Sequence, residues 1–187
     1  QSQLFDTKAK LAKARYDVTA LAHPCVRRLS LATGESAFLS ARRGDETICL
    51  VREDGSFPLR SHVLHEGIRF PLGVASAGLA VLSYLPDAEI EDYLSRVDLT
   101  SDHGEAHRAE GLRKRIAQTR ATGWALNPGL LVQGSWGMAA VFDAAERPAW
   151  ALSLTGVERR FSSTRREELG RLLLLEAHTL SMLLARH

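Results

Sequence analysis

The sequence predicts an α+β domain in which helices cover an antiparallel sheet of about six strands. Strand-like segments form one group within residues 36–63 and another within residues 124–155, and tight-turn residues such as Asp54-Gly55 separate neighbours within a group. Helical patterns lie before, between and after the two groups. Strands joined by short turns pair in antiparallel fashion, and the helices then have to cover the resulting sheet.

Length and composition indicate one globular domain with an extra helix. The chain has 187 residues, 45% of them hydrophobic and 25% charged, and a formal net charge of +2. This charge is too small to indicate nucleic-acid binding by the chain itself. There is no apolar run of about 18 residues and no signal peptide, so we expect a cytoplasmic protein without a membrane span. The chain opens at Gln1 rather than methionine, which suggests a piece of a longer protein.

The N-terminal segment predicts an exposed connecting helix followed by a shorter second helix. Residues 3–23 are rich in lysine and alanine and contain no glycine or proline. Pro24 is expected to begin the second helix, and Gly34 is expected to end it. We therefore assign residues 1–23 to the connector and residues 24–187 to the globular domain.

The first group of strands predicts a three-stranded meander. Residues 36–42 and 47–53 flank a turn at residues 43–46, and residues 57–63 give a weaker third strand. Residues 70–72 are expected to be extended, because a proline pushes the residue before it out of the helical region.

Three helices are predicted between the two groups of strands. The first begins within residues 74–76, and Pro86 is the first residue of the second. A capping box of Asp102 and Glu105 is expected to start the third helix, which Gly123 ends.

The second group predicts three more strands and a final helix. The expected strands are residues 124–126, 136–142 and 149–155. Turns are expected at residues 127–129 and 143–148, and Gly156 ends the last strand. A capping box at residues 164–167 then starts the final helix, in which leucines repeat at helical spacing.

The stretch from Gly67 to Leu85 is the first candidate for a binding site. Small residues between Gly73 and Gly78 precede an apolar helical run. Small residues at a helix start leave its free backbone N–H groups open to an anion or a carboxylate. Spacing alone leaves a second interpretation open, in which the small residues permit close packing of the helix against the sheet.

The last predicted strand is the second candidate. Ser153 and Thr155 lie two residues apart and therefore on one face, whereas Leu152 and Leu154 face the other way. The two hydroxyls either point to water on an exposed face of the sheet or serve a ligand, and the alternation allows both.

Catalytic and metal chemistry finds little support. The sequence has no GxSxG motif, no P-loop, no GxGxxG after a strand and no CxxC, so we expect neither an enzyme, a cofactor nor a disulfide scaffold. Cys25 and Cys49 are expected to be structural thiols. Two pairs of histidines have spacings that place them on one helix face, namely His62 with His65 and His103 with His107. Solvated or capping roles explain these pairs more simply than a metal site does.

Six short segments follow one another in an order that is specific as a set. They are L-x-x-x-T-G-E at residues 29–35, R-E-D-G-S-x-P-L-R at 52–60, G-I-R-F-P-L-G-V-A-S-A-G-L-A at 67–80, T-G-W-A-L-N-P-G at 122–129, A-A-V-F-D at 139–143 and A-L-S-L-T-G at 151–156. In this order they resemble the effector-binding domain of IclR-type bacterial transcriptional regulators. The resemblance extends from roughly residue 20 to residue 185.

The resemblance implies a GAF-like fold that binds a small molecule, commonly an organic or aromatic acid. It implies a winged helix-turn-helix domain before the connecting helix, outside this sequence, through which the protein binds operator DNA. It also implies a homodimer or homotetramer. Two alternatives from other classes are a small enzyme on a GAF-like scaffold and a dimerisation module with a vestigial pocket.

Carried onto this sequence, the family's effector site falls on Ser76, Ala77, Asn127, Ser153, Thr155 and either Trp136 or Gly137. The sequence departs from the family pattern at three positions. Asn127 stands where the family has an acidic residue, Leu79 where it commonly has lysine, and Trp136 where smaller residues occur. Trp136 is expected either to shrink the pocket or to form a flat wall for an aromatic ligand. The identity of the effector therefore does not transfer.

Overall fold

A six-stranded antiparallel sheet forms the centre of the computed structural model, which describes residues 2–59, 63–142 and 148–186. The strands are β1 Ser36–Arg43, β2 Glu46–Glu53, β3 Arg69–Pro71, β4 Ala125–Pro128, β5 Ser135–Phe142 and β6 Trp150–Val157. Their order in the sheet is β3-β2-β1-β6-β5-β4, and each neighbouring pair is antiparallel. The predicted α+β class and the number of strands are confirmed.

Helices cover both faces of this sheet. They are α1 Ser2–Thr33, α2 Ser76–Ser83, α3 Asp87–Arg96, α4 Thr100–His103, α5 Ala109–Thr122 and α6 Ser163–Ala185, with 3₁₀ turns at Glu105–His107 and Glu158–Arg160. Side chains of α1 and α6 share one hydrophobic core with the sheet, and those of α2, α3 and α5 share another. Among the described residues, no helix combines the length and apolarity that a membrane span requires.

The first helix is continuous, so the prediction that Pro24 begins a second helix is wrong. Proline leaves the carbonyl of Ala20 without its helical N–H partner, but both residues are exposed and water can bond this carbonyl instead. Val18 and Ala22 before the proline and Val26 after it pack in the same core. The helix therefore runs from the expected connector into the domain without a break.

The third strand on this side of the sheet lies later in the chain than predicted. Of the predicted residues 57–63, those at 57–59 and 63 form bends, and those at 60–62 lie outside the described residues. Phe57 donates its N–H to the Gly34 carbonyl at 3.1 Å, and its ring lies 3.9 Å from the guanidinium carbon of Arg160. These contacts hold the segment against the end of α1, and β3 pairs with β2 in its place.

Two predicted helix caps differ in the structure. Ser162, rather than Thr164, caps α6, because its Oγ accepts the N–H of Arg165 at 3.3 Å. The predicted capping box of Asp102 and Glu105 does not start α5, which begins at Ala109 after Arg108 without a side-chain cap. Asp102 lies in the short α4, beside which Asp98 accepts the N–H of Thr100 at 2.9 Å.

Asn127, expected in a turn, and Gly156, expected to end a strand, both lie inside strands. Asn127 belongs to β4 and pairs with Gly137, and Gly156 belongs to β6 rather than ending it. A Cβ atom on Gly156 would lie 2.2 Å from Oε2 of Glu35, so this glycine is required by packing rather than by a turn. Most of the turn predicted at residues 143–148 lies outside the described residues.

A buried ion cluster fixes the end of α1 against the start of α6. The Glu35 side chain is 2% exposed and accepts hydrogen bonds from Nε of Arg160 and, at 2.8 Å, from Nη1 of Arg165. Both guanidinium groups also donate to the carbonyl of Thr33, at 3.1 and 2.6 Å. The cluster satisfies a terminal carbonyl of α1 and joins two regions that are distant in sequence.

Candidate functional site

A small cavity lies where the start of α2 meets β4, β5 and β6. The residues that line this α2 cavity are Val63, Leu64, Ala75, Ser76, Asn127, Leu131, Ser135, Trp136, Gly137 and Thr155. Its volume is about 20 Å³, which is space for about one water molecule. The structure thus brings together Ser76, Asn127, Thr155 and both alternatives at 136 and 137, whereas Ala77 and Ser153 do not line the cavity.

The first turn of α2 contributes backbone donors beside this cavity. Ala75 is the N-terminal cap, with an extended backbone (φ −89°, ψ 165°) and no side-chain hydrogen bond to the helix. The N–H groups of Ser76 and Ala77 have no partner within the helix, as in the first turn of any α-helix. An anion at this position meets these donors and the positive end of the helix dipole.

The small residues around α2 have two roles: some allow the helix to pack closely, and others leave space in front of it. A Cβ atom on Gly78 would lie 3.2 Å from the backbone nitrogen of Gly73 and 3.3 Å from the carbonyl oxygen of Pro71, so Gly78 holds α2 close to the loop before it. On β5, a Cβ atom on Gly137 would lie 3.1 Å from Oγ of Ser76. Gly137 therefore keeps open the space in front of Ser76.

The hydroxyls of Ser153 and Thr155 are buried, with exposures of 0% and 6%. The interpretation that they face water is wrong, because helices cover this face of the sheet as well as the other. Neither hydroxyl oxygen has a hydrogen-bond partner among the described residues. Thr155 pairs with Gly137 and lines the α2 cavity, whereas Ser153 lies between its pairing partners Ala139 and Phe38. Buried hydroxyls without partners are uncommon and call for a physical explanation.

Asn127 holds two loops together through its amide. Its Nδ2 donates to the carbonyl of Val74 at 3.2 Å, and its Oδ1 accepts the N–H of Leu130 at 2.9 Å. The loop before α2 and the loop between β4 and β5 are thereby linked at one side of the cavity. An aspartate has no N–H to donate, so the departure of this position from the family's acidic residue changes how the two loops are joined.

Trp136 lies at the edge of the cavity, but its ring packs mainly on the opposite face of the sheet. The ring centroid is 6.4 Å from that of Phe161, and the guanidinium carbon of Arg166 lies 5.4 Å from it. Alternation along β5 places Trp136 and Met138 on the α6 face and Gly137 on the α2 face. Gly137 is therefore the residue that faces Ser76.

The loop between β4 and β5 closes one side of the cavity. Gly129 and Gly134 stand at its two ends, with φ angles of +74° and +82° that favour glycine. Leu131 lines the cavity and packs against the cluster that contains Val74 and Leu112. Sequence reasoning missed Leu131, and the two glycines around an apolar residue were the available signal.

The cysteines and histidines form no reactive cluster in the described part of the chain. Burial raises the pKa of Cys25 to about 11 and that of Cys49 to about 12, so both thiols stay neutral. Nδ1 of His107 lies 2.8 Å from the carbonyl oxygen of His103, and burial lowers the pKa of His107. Residues 2–59, 63–142 and 148–186 hold no group of three such side chains suited to a metal ion, and His62 lies outside them.

Comparison with known proteins identifies the family. A family model described as the bacterial transcriptional regulator IclR C-terminal domain matches residues 11–182. The chain belongs to the IclR family. It is 27% identical over 158 residues to the HTH-type transcriptional regulator KipR of Bacillus subtilis, and the aligned region covers 83% of this chain and 63% of KipR. It is 24% identical over 169 residues to the transcriptional repressor IclR of Escherichia coli, and this aligned region covers 89% of the chain and 62% of that repressor. The chain thus spans about three fifths of the length of these relatives.

Solved structures of IclR-type proteins confirm the fold. Thermotoga maritima IclR superposes with a TM-score of 0.83 at 22% identity, over 97% of this chain and 74% of that chain. The C-terminal domain of Escherichia coli KdgR superposes with a TM-score of 0.75 at 24% identity, over 89% of this chain and 97% of that chain. The family model and the two relatives KipR and Escherichia coli IclR are described as transcriptional regulators or repressors.

Proposed function

We propose that the α2 cavity of this IclR-type domain binds a small organic acid. The observation that carries the proposal is the buried Thr155 hydroxyl, which has no partner among the described residues and lines the same cavity as the first turn of α2. A carboxylate between them accepts hydrogen bonds from the Ser76 and Ala77 N–H groups and from the hydroxyl.

The electrostatic potential at the cavity favours an anion. Among the residues that the structure describes, no acidic or basic side chain lines the cavity, and the N-terminus of α2 contributes a positive potential. The apolar lining from Leu64, Leu131 and Ala75 suits the carbon part of an acid. A cation finds no carboxylate in this lining.

Binding requires the cavity to enlarge, because about 20 Å³ is too small for an organic acid. The loop at residues 129–134 is the part that moves outward, since Gly129 and Gly134 stand at its ends and Leu131 is its inward side chain. Asn127 holds the closed position through Leu130. The acid thus shifts an equilibrium between a closed and an open cavity.

We further propose that a helix-turn-helix domain precedes α1 and that acid binding changes its hold on operator DNA. The name of KipR includes this DNA-binding motif, and relatives named HTH-type transcriptional repressor AllR and acetate operon repressor favour repression. Because α1 is continuous and its second half packs in the core, a change in the domain reaches the helix directly. Regulation through a homodimer or homotetramer completes the proposal.

One observation favours a different function, a dimerisation module with a vestigial pocket. The cavity is nearly filled by its own side chains.

A thermal-shift screen with aliphatic, dicarboxylic and aromatic acids separates ligand binding from a vestigial pocket. We expect at least one acid to raise the unfolding temperature and to bind with a stoichiometry of one per chain in calorimetry. Ser76→Trp, which blocks the cavity, removes this response. No response to any acid supports the vestigial pocket, and chemical conversion of a bound acid, followed by NMR, supports the enzyme alternative.

A further inference from the structure

A second cavity lies between α5 and α6, beside the edge strand β4. Its volume is about 260 Å³, and its lining includes Arg115, Gln118, Trp124, Leu126 and Arg166. The described part of the chain contributes two arginines and no acidic residue to this lining, and none of these lining residues belongs to the α2 cavity. We call this second cavity the α5–α6 cleft.

Arg115 carries a charge that no carboxylate of the described chain balances. Its Nη2 atom is buried and has no hydrogen-bond partner among the described residues. Its neighbours on α5 differ in this respect. Arg113 pairs with Glu91 at 2.7 Å, and Arg120 pairs with Asp87 at 2.8 Å. A half-buried guanidinium without a counter-charge costs free energy. Because Arg115 also lines the cleft, an anion bound there lies close enough to reduce this cost through its charge.

Arg166 supplies the second positive charge of the cleft. Its guanidinium carbon lies 5.4 Å from the Trp136 ring centroid, and no ion pair with a carboxylate is found for it within the described ranges. Its neighbour Arg165, by contrast, is bound to Glu35. A guanidinium stacked on an aromatic ring keeps its edge N–H groups free for a planar or tetrahedral oxyanion.

We propose that the α5–α6 cleft binds the carboxylate or phosphate group of a small molecule, held by Arg115 and Arg166 beside Trp124. The fork of a guanidinium matches the oxygens of either group. Trp124 and Leu126 form an apolar wall for the rest of the molecule, and the volume suits a small metabolite. Trp136 contacts Arg166 and also lines the α2 cavity, so the two sites are neighbours.

Inorganic phosphate and succinate are the probes that test this site. They are titrated into the purified chain at constant ionic strength, and the unfolding temperature and tryptophan fluorescence are followed. We expect binding in the millimolar range, because the site offers two charge-assisted contacts and little else to a small ion. Binding of either probe supports the proposal and tells which oxyanion the cleft prefers. No response to both overturns it.

Three charge variants locate the binding. Arg115→Gln and Arg166→Gln each weaken binding by about tenfold, since each removes a charge-assisted hydrogen bond. Arg171→Gln is the matched control, because it removes the same charge from an exposed position of α6 outside the cleft. An equal loss in Arg171→Gln indicates screening of the overall charge and contradicts the proposal. So does a probe that loses affinity in Thr155→Val but keeps it in Arg166→Gln, because that probe occupies the α2 cavity.

A stability readout separates a binding role of Arg115 from a structural one. Without a ligand, Arg115→Gln keeps or raises the unfolding temperature, because it removes a half-buried charge that has no partner. A clear fall in the unfolding temperature indicates a structural role and contradicts the proposal. Gln118→Glu is a second test that keeps Arg115, since it places a carboxylate in the lining one turn away. It raises the unfolding temperature and abolishes the response to phosphate, and an undiminished response counts against the cleft.

Discussion

Replacing Thr155 with valine shows whether a ligand or the fold needs the hydroxyl of this residue. The substitution keeps the β-branched shape and removes Oγ1, which is buried and has no partner among the described residues. Removing a hydroxyl that is hydrogen-bonded in the folded protein costs stability, whereas removing an unsatisfied one returns its desolvation cost. We therefore expect the unliganded Thr155→Val protein to be more stable than the wild type.

The magnitude follows from burial and from the size of the cavity. Burying a hydroxyl without a partner costs about 1–3 kcal/mol, and one water in the adjacent space offsets part of this cost. We expect a net gain of about 1 kcal/mol, or a rise in Tm of about 2–4 °C for a chain of this size. The same hydroxyl makes a charge-assisted hydrogen bond to a bound carboxylate, so acid affinity falls by about tenfold. Stability and affinity thus change in opposite directions.

Urea unfolding and titration calorimetry measure the two effects. Thr33→Val is the matched control, because this buried threonine donates its hydroxyl to the carbonyl of Leu29 at 2.7 Å and lines neither cavity. It is expected to lose about 1 kcal/mol of stability and to leave acid affinity unchanged. A Thr155→Val protein that is less stable than the wild type and binds the acid as tightly would refute the reasoning.

Three other substitutions, one of them with a control variant, test the ion cluster, the link between the two loops and the buried histidine. Glu35→Ala leaves the guanidinium groups of Arg160 and Arg165 without their buried partner and lowers the free energy of unfolding by about 3–5 kcal/mol. The control Asp92→Ala breaks an exposed ion pair with Arg96 and costs less than about 1 kcal/mol. Similar losses for the two variants in urea unfolding contradict a stabilising role of the buried ion cluster. Asn127→Asp removes the N–H donor that joins the two loops and adds a negative charge beside the α2 cavity, so both stability and acid affinity fall. An unchanged acid affinity in calorimetry argues against binding of the acid in this cavity. Burial lowers the pKa of His107, so the unfolded chain takes up its proton first and stability declines as the pH falls below about 6.5. His107→Gln shows a smaller decline in urea unfolding across this range, and an equal decline counts against a contribution from His107.

The sheet was predictable because its strands are joined locally. The turn residues Gly44-Asp45 and the β-branched run after them mark the β1–β2 hairpin, and five of the six strands lie within a few residues of the segments expected for them. The displaced strand shows the limit of this reasoning. Phe57 is held by Gly34 and Arg160, which are far away in the sequence, so no local pattern reveals its position.

The site was predictable in its location but not in its surroundings. The small residues before α2 and the pair Ser153 and Thr155 mark it, but alternation assumes that one face of an antiparallel sheet meets water. Here helices cover both faces, so the two hydroxyls are buried. The role of Asn127 was also out of reach, because its partner Val74 is 53 residues away. Pro24 does not interrupt α1, because the carbonyl of Ala20, which loses its helical partner, is exposed and can bond to water.

The affinity of Gly137→Ala for an acid found by the screen shows whether the α2 cavity is the effector site. A Cβ atom at this position would lie 3.1 Å from Oγ of Ser76 and would occupy the space in front of α2. Titration calorimetry of the wild type and the variant measures the affinity, and circular dichroism confirms that the variant is folded. The account predicts an affinity at least about tenfold weaker in the folded variant. Equal affinity in a folded Gly137→Ala protein would contradict the assignment of the α2 cavity as the effector site.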